Sequence, residues 1–142
     1  MARVLGVDLG WRRIGLAVSD PCGIIASPHS VVVRSGDASL DHRRVADVAV
    51  EVEAGLVVVG LPLSLSGADG PAARAAREEA SALAAVVGLP VETSDERFTT
   101  VTAQRALVAG GVRRSDRKGL VDKVAAAVML QSWLDRRAGG AR

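Results

Sequence analysis

Aromatic residues and cysteine are scarce in this chain of 142 residues, and their scarcity limits what the protein can be. Tyrosine is absent, phenylalanine occurs once and tryptophan twice, so the core must be built from valine, leucine and alanine. The single cysteine, Cys22, excludes an internal disulfide and a cysteine zinc site. We expect Cys22 to be a small buried or half-buried side chain, as free cysteine usually is.

Long apolar runs are also absent. Residues 1–10 lack the apolar stretch of a signal peptide, and no segment approaches the ~18 continuous apolar residues of a membrane span. The composition is nevertheless 49% hydrophobic, which is enough for a real core. We therefore expect one domain over residues 1–142, without a membrane partner, in the reducing cytoplasm.

Lysine is scarce too, since only Lys118 and Lys123 among the 18 basic residues are lysines. The formal net charge is +2, and abundant arginine is also typical of GC-rich genomes, so overall charge alone does not indicate a nucleic-acid partner. Local clustering is more informative, because residues 113–118 contain four cations. Arginine presents a planar fork that suits phosphate.

The hydrophobic pattern predicts three early strands, followed by alternating helices and strands. The early strands should form an antiparallel meander, with Pro28 bending the third or placing it at an edge. The predicted strands are 3–10, 14–20, 23–33, 56–60 and 90–96. The predicted helices are 39–55, 72–87, 99–111 and 119–137.

Local signals mark several ends of these elements. Gly55 is predicted to end the first helix, and Pro71 to occupy the first position of the second. Thr99 or Thr100 is predicted to cap the third helix. The order β-β-β-α-β-α-β-α-α predicts an α/β fold, a mixed five-stranded sheet with helices on both faces.

Three carboxylates fall where active sites collect in α/β sheets, at or near the carboxyl ends of strands. Asp8 lies near the end of the first strand, and Glu96, beside Asp95, ends the last. Asp122 is predicted to lie in the first turn of an apolar helix. Magnesium prefers oxygen ligands, and a pair of such ions can hydrolyse a phosphodiester. Asp8 would bridge the metals, with Glu96 and Asp122 holding one each.

Small residues around these acids support the hypothesis. Gly6 and Gly10 flank Asp8, which is expected to leave room for a substrate backbone. Ala125 and Ala126 are expected to let the last helix lie close to the sheet and bring Asp122 toward Asp8.

Each acid also has a simpler interpretation. Asp8 would accept backbone N–H bonds in the following turn. Asp122 would interact favourably with the positive end of its helix dipole. Glu96 would pair with an exposed base such as Arg97. Spacing alone does not establish that the three converge. Solvated or capping roles are expected for Asp95 and Asp20, and surface or packing roles for His29 and His42.

Several basic residues are candidates for a phosphate-binding rim, although a solvated basic face is the alternative. The candidates are Arg12, Arg13, Arg97, Arg113, Arg114, Arg117 and Lys118.

Four segments together resemble the YqgF family of bacteria across nearly the whole chain. They are GVDLGWRRIGLAVSD (6–20), VVVGLPLSLSGADGPAARAAR (57–77), DERFTT (95–100) and VDKVAAAVMLQSWLD (121–135). The resemblance implies an RNase H-like fold similar to Holliday-junction resolvases. Members are assigned as resolvases and as the nuclease that matures the 5′ end of precursor 16S rRNA. Carried over by position, the family's acidic triad falls on Asp8, Glu96 and Asp122, with residues 12–15, Arg97, Thr99 and Thr100 as supporting residues.

The leading hypothesis is therefore a Mg²⁺- or Mn²⁺-dependent nuclease acting on structured RNA. The family implies a ribosome or pre-ribosomal particle as a partner, and the chain is expected to be a monomer or a homodimer. The alternatives are a resolvase of branched DNA, a non-catalytic nucleic-acid-binding module, and an actin-like or sugar-kinase ATPase. The last is disfavoured because such ATPases need two domains.

Overall fold

The computed structural model describes residues 2–62, 70–95 and 117–140. Within them the strands are β1 (Arg3–Leu9), β2 (Arg13–Ser19), β3 (Ala26–Val33), β4 (Ala54–Leu61) and β5 (Val91–Asp95). The helices are α1 (Ala38–Glu51), α2 (Pro71–Val87) and α3 (Arg117–Gly140). The helix predicted over 99–111 lies outside the described residues.

The five described strands form one mixed sheet in the order β3-β2-β1-β4-β5. β1, β2 and β3 pair antiparallel as the predicted meander, whereas β1, β4 and β5 run parallel. Pro28 lies in the edge strand β3, as expected, since proline cannot donate to a ladder. The register skips there, because Leu16 faces Ser30 while Ala17 faces Pro28.

Helices cover both faces of the sheet, as predicted. One face packs against α1 and α2 through a core that includes Leu5, Val57 and Leu83. The other face packs against α3 through a second core that includes Val58 and Leu130. Because consecutive β4 residues belong to opposite cores, this strand is buried on both faces, which explains its continuous apolar sequence.

The end of α1 differs from the prediction. The helix ends at Glu51, and Glu53 makes the reversal with a left-handed φ of 57°. Gly55 therefore does not end the helix but lies within β4. Its Cα lies against Ala2, since an added Cβ would sit 2.6 Å from the Ala2 Cβ. Gly55 thus marks a close approach of two chain segments, which sequence alone does not distinguish from a helix stop.

Two further predictions concern single residues. Pro71 opens α2 as predicted, and the helix ends at Gly88, whose left-handed φ of 70° is typical of the glycine after a helix. The prediction for Cys22 is wrong, because its side chain is exposed. Cys22 lies in the turn between β2 and β3, which keeps it at the surface. No helix in the described part of the chain is long and apolar enough to cross a membrane.

Candidate active site

Asp8 lies at the carboxyl end of β1, the central strand of the sheet. Its side chain is only 8% exposed, although an aspartate is rarely buried without a reason. Strand side chains alternate, and Val4 packs in the core beneath α3, so Asp8 shares that face. The Asp8 carbonyl accepts a 3.0 Å hydrogen bond from the Gly10 N–H, which starts a tight turn directly after it.

Asp122 reaches the same place from α3. Asp8 pairs across the ladder with Gly15 of β2. A Cβ added to Gly15 would sit 2.0 Å from the backbone oxygen of Asp122, so the helix backbone lies directly on this strand. A Cβ on Gly10 would sit 3.5 Å from Asp122 Oδ1. The structure therefore brings Asp8 and Asp122 to one end of the sheet, on one face.

The glycines beside Asp8 serve a different purpose from the one expected. A Cβ on Gly6 would sit 2.9 Å from Leu130 Cβ, and one on Gly10 would sit 2.3 Å from the Arg13 carbonyl oxygen. The space beside Gly6 is thus filled by the protein itself, so the expectation of room for a substrate backbone is wrong there, whereas Gly10 also borders an open cleft. Ala125 and Ala126 are buried on the side of α3 that packs against the sheet, in keeping with its close approach.

The position of Asp122 in its helix also corrects the sequence interpretation. α3 begins at Arg117, so Asp122 lies in the second turn and not in the first. The favourable effect of the helix dipole is confined to the first turn. The dipole therefore does not account for this carboxylate.

Arg13 is the ionic partner of Asp122. Its Nε donates a 2.7 Å hydrogen bond to Asp122 Oδ2, with the two side chains 30% and 22% exposed. Arg13 was expected to bind phosphate, and here it neutralises a carboxylate at the candidate site. Arg12, the neighbouring candidate, is exposed in the turn between β1 and β2.

The remaining candidates are only partly covered by the structure. Glu96, Arg97, Thr99, Thr100, Arg113 and Arg114 lie outside the described residues. For Arg117 and Lys118 only the helical backbone at the start of α3 is described. Within residues 2–62, 70–95 and 117–140, no group of three metal-binding side chains is close enough to hold an ion. The third predicted ligand, Glu96, is not among them.

A charged network behind the turn was not predicted. Arg34 Nε donates to the Gly10 carbonyl at 2.8 Å, and the Arg34 guanidinium pairs with both carboxylate oxygens of Glu79 at 2.8 and 2.9 Å. His42 Nε2 lies 2.8 Å from Glu79 Oε2. Nothing local in the sequence indicates these contacts, because Arg34 and Glu79 are 45 residues apart.

The partners of Glu79 decide its ionisation. Burial alone would raise its pKa, but the hydrogen bonds and charges of Arg34 and His42 outweigh burial, and the pKa lies below its ordinary value. Glu79 is therefore held as a carboxylate, and Arg34 stays aligned on the turn that follows Asp8.

Asp20 has the capping role expected of it. Its Oδ1 accepts hydrogen bonds from the N–H groups of Ile24 and Ile25 at 2.7 and 2.8 Å. These backbone bonds, that of Ile25 first, lower the pKa of Asp20. His42 has the expected packing role, since it is buried against Glu79.

Comparison with known proteins identifies the family to which this chain belongs. A family profile described as RuvX, Holliday junction resolvase, matches residues 2–136. The chain belongs to the RuvX family. A protein of Anaeromyxobacter dehalogenans, provisionally named a pre-16S rRNA nuclease, is 51% identical over 96% of this chain and 98% of its own length. A Mycobacterium protein with the same provisional name is 46% identical over 95% of this chain and 80% of its own length.

Solved structures agree on the fold. RuvC of Thermus thermophilus in complex with a Holliday junction substrate superposes with a TM-score of 0.57 at 22% identity, covering 98% of this chain and 97% of that chain. The predicted RNase H-like fold is thus confirmed. RuvX family membership and the names of the relatives also confirm the prediction of a nuclease, and with it a nucleic-acid substrate.

Proposed function

We propose that this nuclease of the RuvX family hydrolyses phosphodiester bonds with Mg²⁺ or Mn²⁺ at Asp8, Glu96 and Asp122, and that it matures the 5′ end of precursor 16S rRNA. The observation that carries the proposal is the meeting of two carboxylates at one end of the sheet. Asp8 is buried on the central strand, and Asp122 lies over its ladder partner Gly15. The substrate is suggested by the names of relatives up to 51% identical.

The described residues fit a divalent metal. Both acids offer hard oxygen ligands, the kind that Mg²⁺ prefers. Asp122 is paired with the Arg13 guanidinium through Oδ2, so a metal would be bound beside this cation or in its place. A bound metal would supply a nucleophilic water at neutral pH and stabilise charge on the phosphate.

The protein's own residues would hold the two carboxylates in fixed positions. Asp8 is fixed by the central strand and by the turn that Arg34 holds through Gly10. Asp122 is oriented by Arg13, which becomes a positioning residue in this scheme. An oriented pair of carboxylates costs little reorganisation when the reaction occurs.

Glu96 is proposed as the third ligand because of where β5 ends. The side chains of Glu92 and Ser94 lie on the face of α3, where they contact Arg137 and Arg136. Glu96 follows Asp95, the last described residue of β5, and by the family resemblance it falls on the third acid of the triad. Arg12, Arg97, Arg113, Arg114, Arg117 and Lys118 are proposed to contact substrate phosphates.

The proposal is tested by cleavage of two substrates, a precursor 16S rRNA fragment and a four-way DNA junction, with the purified chain of residues 1–142. We expect Mg²⁺- or Mn²⁺-dependent cutting of the RNA, lost in Asp8→Asn and Glu96→Gln and retained in Asp47→Asn, an exposed acid of α1. Symmetric nicking of the junction alone would favour the resolvase that the family description names. If Asp8→Asn cut as well as the wild type, the proposed site would be wrong.

A further inference from the structure

Trp11 is the most exposed large hydrophobic side chain among the described residues. It lies in the turn between β1 and β2, and 93% of its surface is open. Tryptophan is normally well buried, because its large apolar surface is unfavourable in water. A single exposed apolar residue does not indicate a binding site by itself, so the surface around Trp11 decides.

The indole forms one wall of a cleft of about 520 Å³. The other walls are mostly apolar and come from Leu9, Pro62, Ala72, Ala75 and Ala76. This volume is in the range of small-molecule pockets. Its polar lining groups, Arg34 and Glu79, are bonded to each other, so the cleft offers a largely apolar surface.

The turn that carries Trp11 is held on both sides. Arg34 Nε donates to the Gly10 carbonyl at 2.8 Å, and the Arg34 backbone N–H donates to the Arg12 carbonyl at 3.0 Å. Since Glu79 fixes the guanidinium in turn, the backbone before Trp11 is anchored to α2, and the backbone after it is anchored to the end of β3. The indole is therefore presented from a fixed support, and less conformational freedom is lost when it binds a flat ligand.

The location of the cleft indicates its ligand. Trp11 follows Asp8 by three positions, and the exposed cation Arg12 is its neighbour. A flat apolar ring beside a cation, at the end of the sheet where Asp8 and Asp122 lie on the other face, suits an aromatic base attached to a phosphate. Unpaired bases have free faces for stacking on aromatic side chains, whereas the bases of a duplex are already stacked.

We propose that Trp11 and this cleft bind an unpaired nucleobase beside the cleavage site. The enzyme then favours substrates in which a single-stranded nucleotide flanks the scissile phosphate. This inference rests on the proposed nuclease function for its biological meaning, but the binding itself is measurable without cleavage.

Tryptophan fluorescence provides the test, because the chain has no tyrosine and two tryptophans. Trp133→Phe leaves Trp11 as the single reporter, and Asp8→Asn added to it prevents cutting during the titration. The probes are a single-stranded uridine decamer and a blunt RNA duplex of the same length. We expect saturable quenching by the single strand and little by the duplex.

Substitution of the reporter gives the second measurement. Trp11→Ala in the Asp8→Asn background should bind the single strand about ten- to a hundredfold more weakly, as measured by anisotropy of a labelled strand. Trp11→Phe should retain part of the affinity, because a smaller ring still stacks. Val50→Ala removes an exposed apolar side chain from α1 and should bind as the parent does.

The outcomes separate the two proposals. Unchanged single-strand affinity in Trp11→Ala would overturn the base-binding cleft while leaving cleavage by the wild type intact. Equal quenching by strand and duplex would overturn the preference for unpaired bases. Quenching by the single strand, with no cleavage of any substrate by the protein that retains Asp8, would support the cleft and refute the nuclease mechanism.

Discussion

At the scale of single residues, the candidate site depends on a glycine, which has no side chain to keep the helix away. Gly15 lets the backbone of α3 rest on β2, so that Asp122 lies over the ladder partner of Asp8. The sequence contains a signal for this, because a glycine inside a strand marks a close approach. It does not say which segment approaches, and the family resemblance included Gly15 only within residues 12–15, as supporting residues.

Gly15→Ala should therefore disturb the site without touching a carboxylate. The new Cβ would meet the Asp122 carbonyl carbon at 2.4 Å, and backbone cannot yield as a flexible side chain can. We expect the free energy of unfolding in urea to fall by about 1–3 kcal/mol, as in overpacked cores, and cleavage to be largely lost. Gly139→Ala, which meets nothing within 4 Å, should be neutral or slightly stabilising. Equal stability and activity of the two variants would contradict this account of Gly15.

Arg13 offers a second residue-scale prediction, since it holds Asp122 through one ion pair. Arg13→Gln should lower the free energy of unfolding by about 1 kcal/mol in EDTA, because Asp122 loses its cation. The loss should be smaller in Mg²⁺, since a metal bound only by the folded state stabilises it and replaces the missing charge. The loss of stability with and without Mg²⁺ is measured by thermal unfolding of the wild type and Arg13→Gln. Arg12→Gln, at an exposed position, is the control. A loss that is the same with and without metal would place the metal elsewhere.

At the scale of elements, the order of strands and helices followed from hydrophobic periodicity, but some of their ends did not. The observed strand ends differ from the predicted ones by at most three residues. This agreement is expected, because turns are determined by local hydrogen bonds such as those that Asp20 accepts. α1 ended before Gly55 because Glu53 adopted the left-handed conformation usually left to glycine. α3 began at Arg117, two residues before the predicted start at Gly119, and this moved Asp122 out of the first turn.

The network of Arg34, Glu79 and His42 joins α1 and α2 to the turn after β1. Because the pKa of Glu79 is lowered on folding, the folded state binds its proton less tightly than the unfolded state does. The resulting stability is fully present above the ordinary value of 4.5 and is lost as the pH falls through the folded pKa.

Glu79→Gln tests that dependence. At pH 7 we expect the variant to be less stable than the wild type by about 1–3 kcal/mol, since a hydrogen-bonded carboxylate is removed. The difference should begin to shrink as the pH falls below 4.5, where the unfolded state takes up a proton, and should vanish below the lower folded pKa, where the folded wild-type carboxyl is protonated too. Urea unfolding at a series of pH values measures it, with the exposed neighbour Glu78→Gln as the control. A difference that stays constant into acid would show that Glu79 contributes through packing alone.

At the scale of the whole molecule, the two faces of the sheet differ. The face under α1 and α2 holds an aliphatic core, with the Trp11 cleft at its edge, and the face under α3 carries Asp8 and Asp122. The mixed sheet with helices on both faces was predictable because its alternation of periods is local. The meeting of Asp122 with the β1–β2 turn was not, because Arg13 and Asp122 are 109 residues apart and only tertiary packing joins them.

The central claim is that Asp8 and its neighbouring carboxylates hold a divalent metal. Calorimetric titration of the purified protein with Mn²⁺ tests it most directly, independently of any substrate. We predict saturable binding by the wild type, weakened at least about tenfold in Asp8→Asn, as expected when a ligand is lost, and unchanged in Asp47→Asn. Equal Mn²⁺ affinity of the wild type and Asp8→Asn would contradict the metal site and the mechanism built on it.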